Sequence, residues 1–400
     1  MSAAYYLSQK NHQIFIFEKG SSLGGLTGSF TNQNWDWSLE KFYHHFFSSD
    51  GQLISLAEEL QIKDKLKFKT PITSVFIQNK IYQFDSPMSL FKFPLLTISD
   101  KIRTGIVTAL LKISPFWEPL EKIPAFDFVE RTMGKNSYQK IWEPLLINKF
   151  GSFYKDIPAS WFWTRVKKRS SSLGYFEGGN QTLIDKLAEK IKNNRGKIFL
   201  NYEIKNLDDL NSIDKFDKTV ITAPMQVFLK ITSGLPENYK EKIKNLKMIG
   251  CLNLILSVKE KFLTDNTYWL NINDSSFPFV TVVEHTNFIN PAHYGGEHLL
   301  YIGGYYPQNH RYFKMKKEDI LKEFLPYLKK INPVFDPLFI IHYSLFMNLY
   351  AQPIPSINYS KTQLPEITTP IPNLYWTSLH HVYPEDRGVN YAIKLGRKVA

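Results

Sequence analysis

Residues 1–30 read MSAAYYLSQKNHQIFIFEKGSSLGGLTGSF, and this stretch decides the fold. Ser2 to Gln9 is a short run of small and apolar residues that ends a helix. Ile14 to Phe17 is apolar without interruption, the pattern of a buried strand, and Glu18 stands at its carboxyl end. A helix feeding such a strand, with an acid at the tip, is the second half of a βαβ unit that binds a dinucleotide. In that unit the acid accepts hydrogen bonds from ribose hydroxyls, and a Gly-rich turn at the helix start cradles the pyrophosphate. The first strand and that turn would both fall before Met1. The expectation from these residues is therefore a chain that starts inside its own cofactor site, an N-terminally truncated fragment of a longer protein.

Working outward, NWDWSLEKFYHHFFSSD (34–50) is an aromatic stretch that leads into a helix over roughly 50–60. TPITSVFIQNKIYQFDSP (70–87) alternates and turns at Gln78-Asn79-Lys80, which predicts a hairpin. From Met88 to about Arg169 the pattern is helical, punctuated by prolines. LGYFEGGNQTLIDKLAEKIKNNRGKIFL (173–200) gives Gly-Gly, a helix with Leu183, Ile184, Leu187 and Ile191 on its apolar stripe, then a strand. DKTVITAP (217–224) is another buried strand. CLNLILSV, FVTVVEH and LLYIGGYY are strand-like runs between 248 and 306, before a helix near 318–330. The chain closes on a strand, a loop and a helix start over 373–400.

The nucleotide-type pieces thus lie at the start, near 173–225 and at the end. This predicts an α/β (α+β) architecture: a discontinuous dinucleotide-binding domain of residues 1–50, 173–230 and 367–400, Rossmann-like but without its first strand. A substrate domain of mixed sheet plus helices is expected from 51–172 and 231–366.

Composition sets the outer bounds. The chain has 400 residues, 43% hydrophobic, 22% charged and 15% aromatic, with a net charge of +12. A lone Cys251 excludes an internal disulfide framework and suits a reducing cytoplasm. Between Asp85 and Ser170 there are 14 Lys and Arg against 8 Asp and Glu, half of the whole excess. A basic, aromatic-rich helical subdomain at about 88–169 can be a solvated surface, or can meet an anionic membrane face or an anionic substrate. No helix-turn-helix, zinc-finger or RNP pattern accompanies the charge, so nucleic acid is not an expected partner. No HExxH, CxxC or carboxylate cluster at ligand spacing implies a metal. The oligomeric state is not set by the sequence.

The chain resembles the flavin-containing amine oxidase and protoporphyrinogen oxidase superfamily, and within it a bacterial group of protoporphyrinogen-oxidase-like oxidoreductases. The resemblance covers essentially the whole chain. It rests on FEKGSSLGGLTGSF, EKFYHHFFSSD, WEPLLINKFG, LGYFEGGNQTLIDKLAEKI, YWLNINDSSFPFVTVVEHTN and YPEDRGVNYAIKLGRKVA, six blocks in the expected order. It implies FAD as cofactor. Glu18 would take the adenosine ribose, and Gly24, Gly25 and Leu26 would form the turn beside the cofactor. Ile204 would present its backbone to the adenine edge. Gly388, Val389 and Asn390 would aim a helix start at the pyrimidine end of the flavin. The chain departs from the family pattern in reading Gly-Gly-Leu followed by Asp36-Trp37-Ser38, and Ser378-Leu379 before the last helix.

Four side chains are candidates for catalysis. His44 and His45, like His380 and His381 near the chain's end, flank a flavin-facing motif, and adjacent residues in extended chain point to opposite faces, so at most one of each pair faces the ring. Glu284 and His285 end a strand-like run, and two readings stand equal for them: pocket-lining groups or half-exposed strand-end polar groups. Cys251 reads as core. The implied activity is a two-electron oxidation or desaturation of an organic small molecule by a cytoplasmic enzyme. The rivals are a flavin enzyme without net redox turnover, such as a nucleotide-sugar mutase, and a fragment that binds no flavin.

Overall fold

The strand expected at 14–17 forms at Phe15–Phe17 and pairs in parallel with Lys197–Phe199. The computed structural model describes residues 1–400 apart from Asn211. A second parallel pair joins Thr219–Ile221 to Leu374–Trp376. The expected parallel sheet is thus present as two separate pairs, because no strand among the described residues bonds to both.

Helices close over these pairs. Gln181–Asn193 buries Leu183, Ile184, Leu187 and Ile191, the stripe that its 3.6-residue period dictates. Leu183, Leu187 and Ile191 share one core with Tyr5, Ile14, Leu53, Leu56, Leu60, Leu66 and Ile393. The last helix, Val389–Val399, is fastened across that core by Arg397. Its guanidinium donates to the Tyr6 hydroxyl at 2.6 Å, Gln52 Oε1 at 2.9 Å and Ser55 Oγ at 3.0 Å.

The helix Gly51–Glu59 is amphipathic and finds its apolar partner in the N-terminal core, where Leu53, Leu56, Leu60 and Leu66 pack with Tyr5 and Ile14. Likewise Ile231, Leu235, Ile243 and Leu246 pack with Ile221 and Trp376, not with the inserted sheet.

The inserted part is built on a seven-stranded sheet. Its order is Ile340–Ile354, Lys247–Val258, His298–Tyr306, Thr281–Glu284, Thr267–Ile272, Ile72–Ile77 and Lys80–Gln83. Every pairing is antiparallel except that between Thr267–Ile272 and Ile72–Ile77. The expected hairpin turns where Gln78 and Asn79 both take positive φ, 53° and 58°, as a two-residue turn of the right twist requires. Lys247–Val258 is buried at every residue but its first, which explains why its sequence is apolar on both faces.

The block 88–169 is helical as expected and has its own core of Leu111, Val129, Met133, Phe150, Trp161 and Phe162. Its longest helix, Ile98–Ile113, begins at a capping box in which Thr97 and Asp100 exchange side-chain and backbone hydrogen bonds. This helix turns an apolar face outward. Ile98 is 75% exposed, Ile102 46%, Ile106 56%, Leu110 55% and Ile113 74%. No helix among the described residues is long and apolar enough to cross a membrane.

Candidate active site

Two glycines after the first strand have different jobs. Gly24 has φ 110° and Gly25 φ 54°. A Cβ on Gly24 would stand 2.5 Å from Ile184 Cδ1 and 3.0 Å from Gly28 Cα, whereas one on Gly25 would meet nothing within 4 Å. Packing demands Gly24. Gly25 fronts open space, so its bare backbone is available to another molecule.

Glu18 lies at the end of the same strand. Its Oε1 accepts from the Gly20 amide at 2.7 Å, and its second carboxylate oxygen accepts nothing among the described residues. The Glu18 carbonyl accepts from the Tyr202 amide at 2.9 Å, so the loop that continues to half-buried Ile204 runs beside the acid.

The helix start at Gly388 is uncapped by any side chain, which leaves the Val389 and Asn390 amides as open donors. Gly388 is simply extended, with φ 170°. Asn390 differs from expectation in one respect. Its Oδ1 accepts from the Gln52 and Leu53 amides at 2.9 and 3.1 Å, closing the start of the helix Gly51–Glu59. Its main-chain amide is left for a ligand.

Leu26 carries the turn toward Phe42, Cys251 and Ala351. Cys251 is a buried core thiol, and burial pushes its pKa up to about 12. Beside it the interior turns cationic. Lys149 Nζ lies 2.6 Å from Asp386 Oδ2, and Asp386 Oδ1 accepts from Gln352 Nε2 at 3.3 Å. Arg387 donates to the Tyr305 hydroxyl and its guanidinium sits 5.2 Å from that ring's centre. Lys149 Nζ is 5.7 Å from the Tyr305 ring and 5.2 Å from the Trp161 ring, and Arg165 is 5.6 Å from the latter. Arg169 lies 5.8 Å from the Phe47 ring. Burial alone would raise the Asp386 pKa, but Lys149, Arg387 and Arg165 hold it well below the carboxylate range. Burial lowers Lys149 to about 7 against the pull of Asp386. Burial, reinforced by Arg169, lowers Arg165 to about 9.

His44 and His45 belong to this region and diverge as alternation requires. His44 Nδ1 lies 2.5 Å from the Phe42 carbonyl; burial, then Arg387, lowers its pKa to about 4. His45 Nδ1 lies 3.2 Å from the Tyr268 hydroxyl; burial, then Arg169, lowers it to about 3. Both rings are neutral at neutral pH.

Glu284 and His285 are placed elsewhere. Glu284 accepts from the Phe262 amide at 3.1 Å and from the Leu263 amide, and burial raises its pKa to about 7. His285 Nε2 lies 2.8 Å from the Tyr294 hydroxyl, among Tyr175, Tyr294 and Tyr301. Glu284 ends a strand interior to the seven-stranded sheet and His285 follows it in a short turn. Both are buried, which departs from the half-exposed alternative.

A small half-open cleft of about 20 Å³ is lined by Trp161, Gln352, Tyr359, His380, Asp386 and Arg387. His380 Nδ1 lies 3.2 Å from the Tyr359 hydroxyl, while its buried Nε2 has no partner. Of this wall, sequence reasoning singled out only His380. The available signal for the rest was Trp161 on the helix Ala159–Lys167 and the Asp386-Arg387 pair just before Gly388.

The site residues fit a flavin nucleotide. Gly25 offers a cradle that a side chain would fill, Glu18 keeps a free acceptor, and the helix start at Gly388 keeps free donors. A family model described as flavin containing amine oxidoreductase matches residues 1–400. Among curated proteins, the 15-cis-phytoene desaturase of Synechococcus elongatus is 23% identical over 244 residues, 54% of this chain and 50% of that protein, so the match spans half of that relative's length. Among solved structures, the protoporphyrinogen oxidase-like protein of Exiguobacterium sp. 255-15 superposes with a TM-score of 0.74 at 15% identity, covering 99% of this chain and 94% of that one. Reduced UDP-galactopyranose mutase superposes with a TM-score of 0.75 at 12% identity, over 100% and 91% of the two chains. At these identities the structural likeness shows a shared fold.

Proposed function

The chain belongs to the flavin-containing amine oxidoreductase family, and on that premise we propose that it is an FAD-dependent oxidoreductase acting on an organic small molecule. The observation that carries this reading is the open backbone at Gly25, taken with the free oxygen of Glu18 and the uncapped helix start at Gly388. Bound FAD supplies the two-electron chemistry. The chain supplies the rest. Glu18 holds ribose hydroxyls, and the backbone of Gly25 and Leu26 lets the cofactor approach where a Cβ would obstruct it. The amides of Val389 and Asn390 favour negative charge at the helix start. His44, with Nδ1 turned to the Phe42 carbonyl, keeps Nε2 as an acceptor; with a pKa of about 4 it orients a donor rather than taking up a proton at neutral pH.

The test is to purify the protein, measure bound flavin by absorbance, and follow acceptor consumption against a panel of oxidisable and desaturable compounds. Stoichiometric FAD with acceptor consumption is the expected result. A protein that will not take up FAD refutes the reading. Flavin turnover without acceptor consumption favours an isomerising enzyme of the mutase kind.

The finer location we propose is peripheral, on an anionic membrane face of the cytoplasm. The supporting observation is the outward apolar stripe of the helix Ile98–Ile113, continued by exposed Met88, Phe91 and Phe116 and bordered by Lys92, Arg103 and Lys112. Apolar residues enter the acyl boundary while the basic rim meets anionic headgroups. Vesicles containing phosphatidylserine should sediment the protein, and less so as salt shortens the screening length from roughly 10 Å to about 3 Å. Ile106→Glu with Leu110→Glu should abolish sedimentation. Equal sedimentation of this variant would refute the placement.

A further inference from the structure

We propose that this protein is a homodimer whose two copies join edge to edge along the strand Ile340–Ile354, antiparallel about a two-fold axis at Leu345. The pairing goes beyond the flavoenzyme reading and does not depend on it.

The strand is the outermost of the seven-stranded sheet. It is bonded on one side to Lys247–Val258 and, among the described residues, to no strand on the other. Its 15 residues span about 50 Å at roughly 3.3 Å each. Such an edge offers unpaired N–H and C=O groups to any chain that can lie against it, and folds ordinarily blunt it by shortness, charge or proline. The other edge of this sheet follows that rule, for Lys80–Gln83 has four residues and opens on a lysine. The strand Ile340–Ile354 does not. It reads IIHYSLFMNLYAQPI, without one charged residue in a chain that is 22% charged, and its proline comes next to last. Its register against Lys247–Val258 is regular from His342 to Asn348 and breaks just beyond each end. The regular section is therefore centred on Leu345. Past it, the Leu349 carbonyl is already taken by Gln308 Nε2 at 2.9 Å.

What lies along this section fits a second copy of itself. Alternate side chains share one face of a strand, so Ile341, Tyr343, Leu345, Met347 and Leu349 form a row. Tyr343 and Leu345 are half-buried against the sheet's own core, while Ile341, Met347 and Leu349 are exposed. A two-fold axis at Leu345 sets Ile341 opposite Leu349, Tyr343 opposite Met347, and Leu345 opposite itself. Each pair is apolar or aromatic, the kind that stabilises neighbouring strands. The second row, His342, Ser344, Phe346 and Asn348, likewise opposes no like charges. Charge enters only near the axis. Lys317 Nζ stands 4.8 Å from the centre of the Tyr343 ring, and Glu318 follows it, both exposed at the start of the helix Lys317–Ile331. The axis brings this corner of one copy toward the same corner of the other, and an adjacent base and acid complement themselves across a two-fold. An unrelated peptide can use the bare backbone. Only a second copy matches the row, its centre and the charged corner together.

The experiment measures mass by sedimentation velocity over a wide range of protein concentration. Wild type should sediment as a dimer. Met347→Lys sets a like charge against Lys317 of the other copy and should weaken association roughly tenfold or more. Its side chain is exposed, so the melting temperature should stay near that of wild type. Leu345→Cys adds a gain of signal that decides the matter if the lysine variant misfolds. Residues directly opposed across antiparallel strands have Cα atoms about 4.5–5.5 Å apart, within disulfide range. The one natural thiol, Cys251, is buried, so mild oxidation reports on the new one. Leu345→Cys should form a covalent dimer, and Leu349→Cys, set opposite Ile341, should not. A wild-type monomer at every concentration, a Met347→Lys dimer as tight as wild type, or cross-linking by Leu349→Cys rather than Leu345→Cys would overturn the proposal.

Discussion

The contrast between Gly24 and Gly25 predicts two opposite failures from neighbouring substitutions. In Gly24→Ala the backbone must hold a side chain at φ 110°, outside the left-handed well; such strain costs about 1–3 kcal/mol. The new Cβ also meets Ile184 Cδ1 at 2.5 Å and Gly28 Cα at 3.0 Å. Ile184 can swing away, but Gly28 is main chain, and overpacking of this kind costs a further ~1–3 kcal/mol. The sum is about 2–5 kcal/mol, a large part of the roughly 5–15 kcal/mol that holds a domain folded. In Gly25→Asn the φ of 54° is one that Asn adopts readily, and nothing obstructs the side chain within 4 Å of its Cβ. Stability should fall by less than ~1 kcal/mol. The carboxamide, however, fills the space proposed for the cofactor. Urea denaturation of flavin-stripped protein and flavin retention after gel filtration measure the two effects. Gly24→Ala should unfold early. Gly25→Asn should fold normally and lose flavin affinity by roughly tenfold or more, a cost above ~1.4 kcal/mol. The reasoning fails if Gly25→Asn keeps stoichiometric flavin, or if Gly24→Ala is as stable as wild type.

Two further outcomes follow from side chains whose roles the fold makes explicit. Asn390→Ala removes the acceptor that closes the helix Gly51–Glu59, and should cost ~0.5–2 kcal/mol in denaturation experiments. Glu284→Gln tests a buried acid whose pKa is raised from 4.5 to about 7 by burial. The folded state holds that proton more tightly than the unfolded one, so its stabilising effect is complete below pH 4.5 and is lost as pH rises through 7. Wild type should therefore lose up to roughly 3 kcal/mol relative to the variant across that window. Parallel stability curves for the two proteins would show that Glu284 does not titrate there.

Elements whose period or punctuation is local were legible in the sequence. The stripe Leu183, Ile184, Leu187 and Ile191, the uninterrupted apolar run before Glu18 and the turn at Gln78-Asn79 each state their geometry within a few residues. What was not legible depends on chain segments far apart. Nothing near Glu284 says that the amides of Phe262 and Leu263 will claim it, and nothing near Asn390 says that residue 52 lies above it. The cationic wall is the clearest case. Lys149, Arg165 and Arg387 come from three segments, and read singly they are surface charges on a basic chain. That they gather about one carboxylate, Asp386, only the fold reveals. The packing partner of the helix Gly51–Glu59 was not legible for a related reason, since an amphipathic helix declares that it has a partner but not which one.

The grip of Arg397 on Tyr6, Gln52 and Ser55 also has a bearing on how the molecule is made. A ribosome adds on the order of 5–20 residues per second. The helix Ser2–Ser8 and the helix Gly51–Glu59 therefore emerge tens of seconds before the helix that fastens them, Val389–Val399, exists at all. During that interval Tyr5, Leu53, Leu56 and Leu60 have only part of their core. The inserted sheet and the helical block, continuous over most of 72–169 and 247–354, can condense meanwhile. Order of synthesis thus makes the nucleotide-binding half the last to close, and makes nascent chains of this protein natural clients for chaperones that shield apolar surface until translation ends.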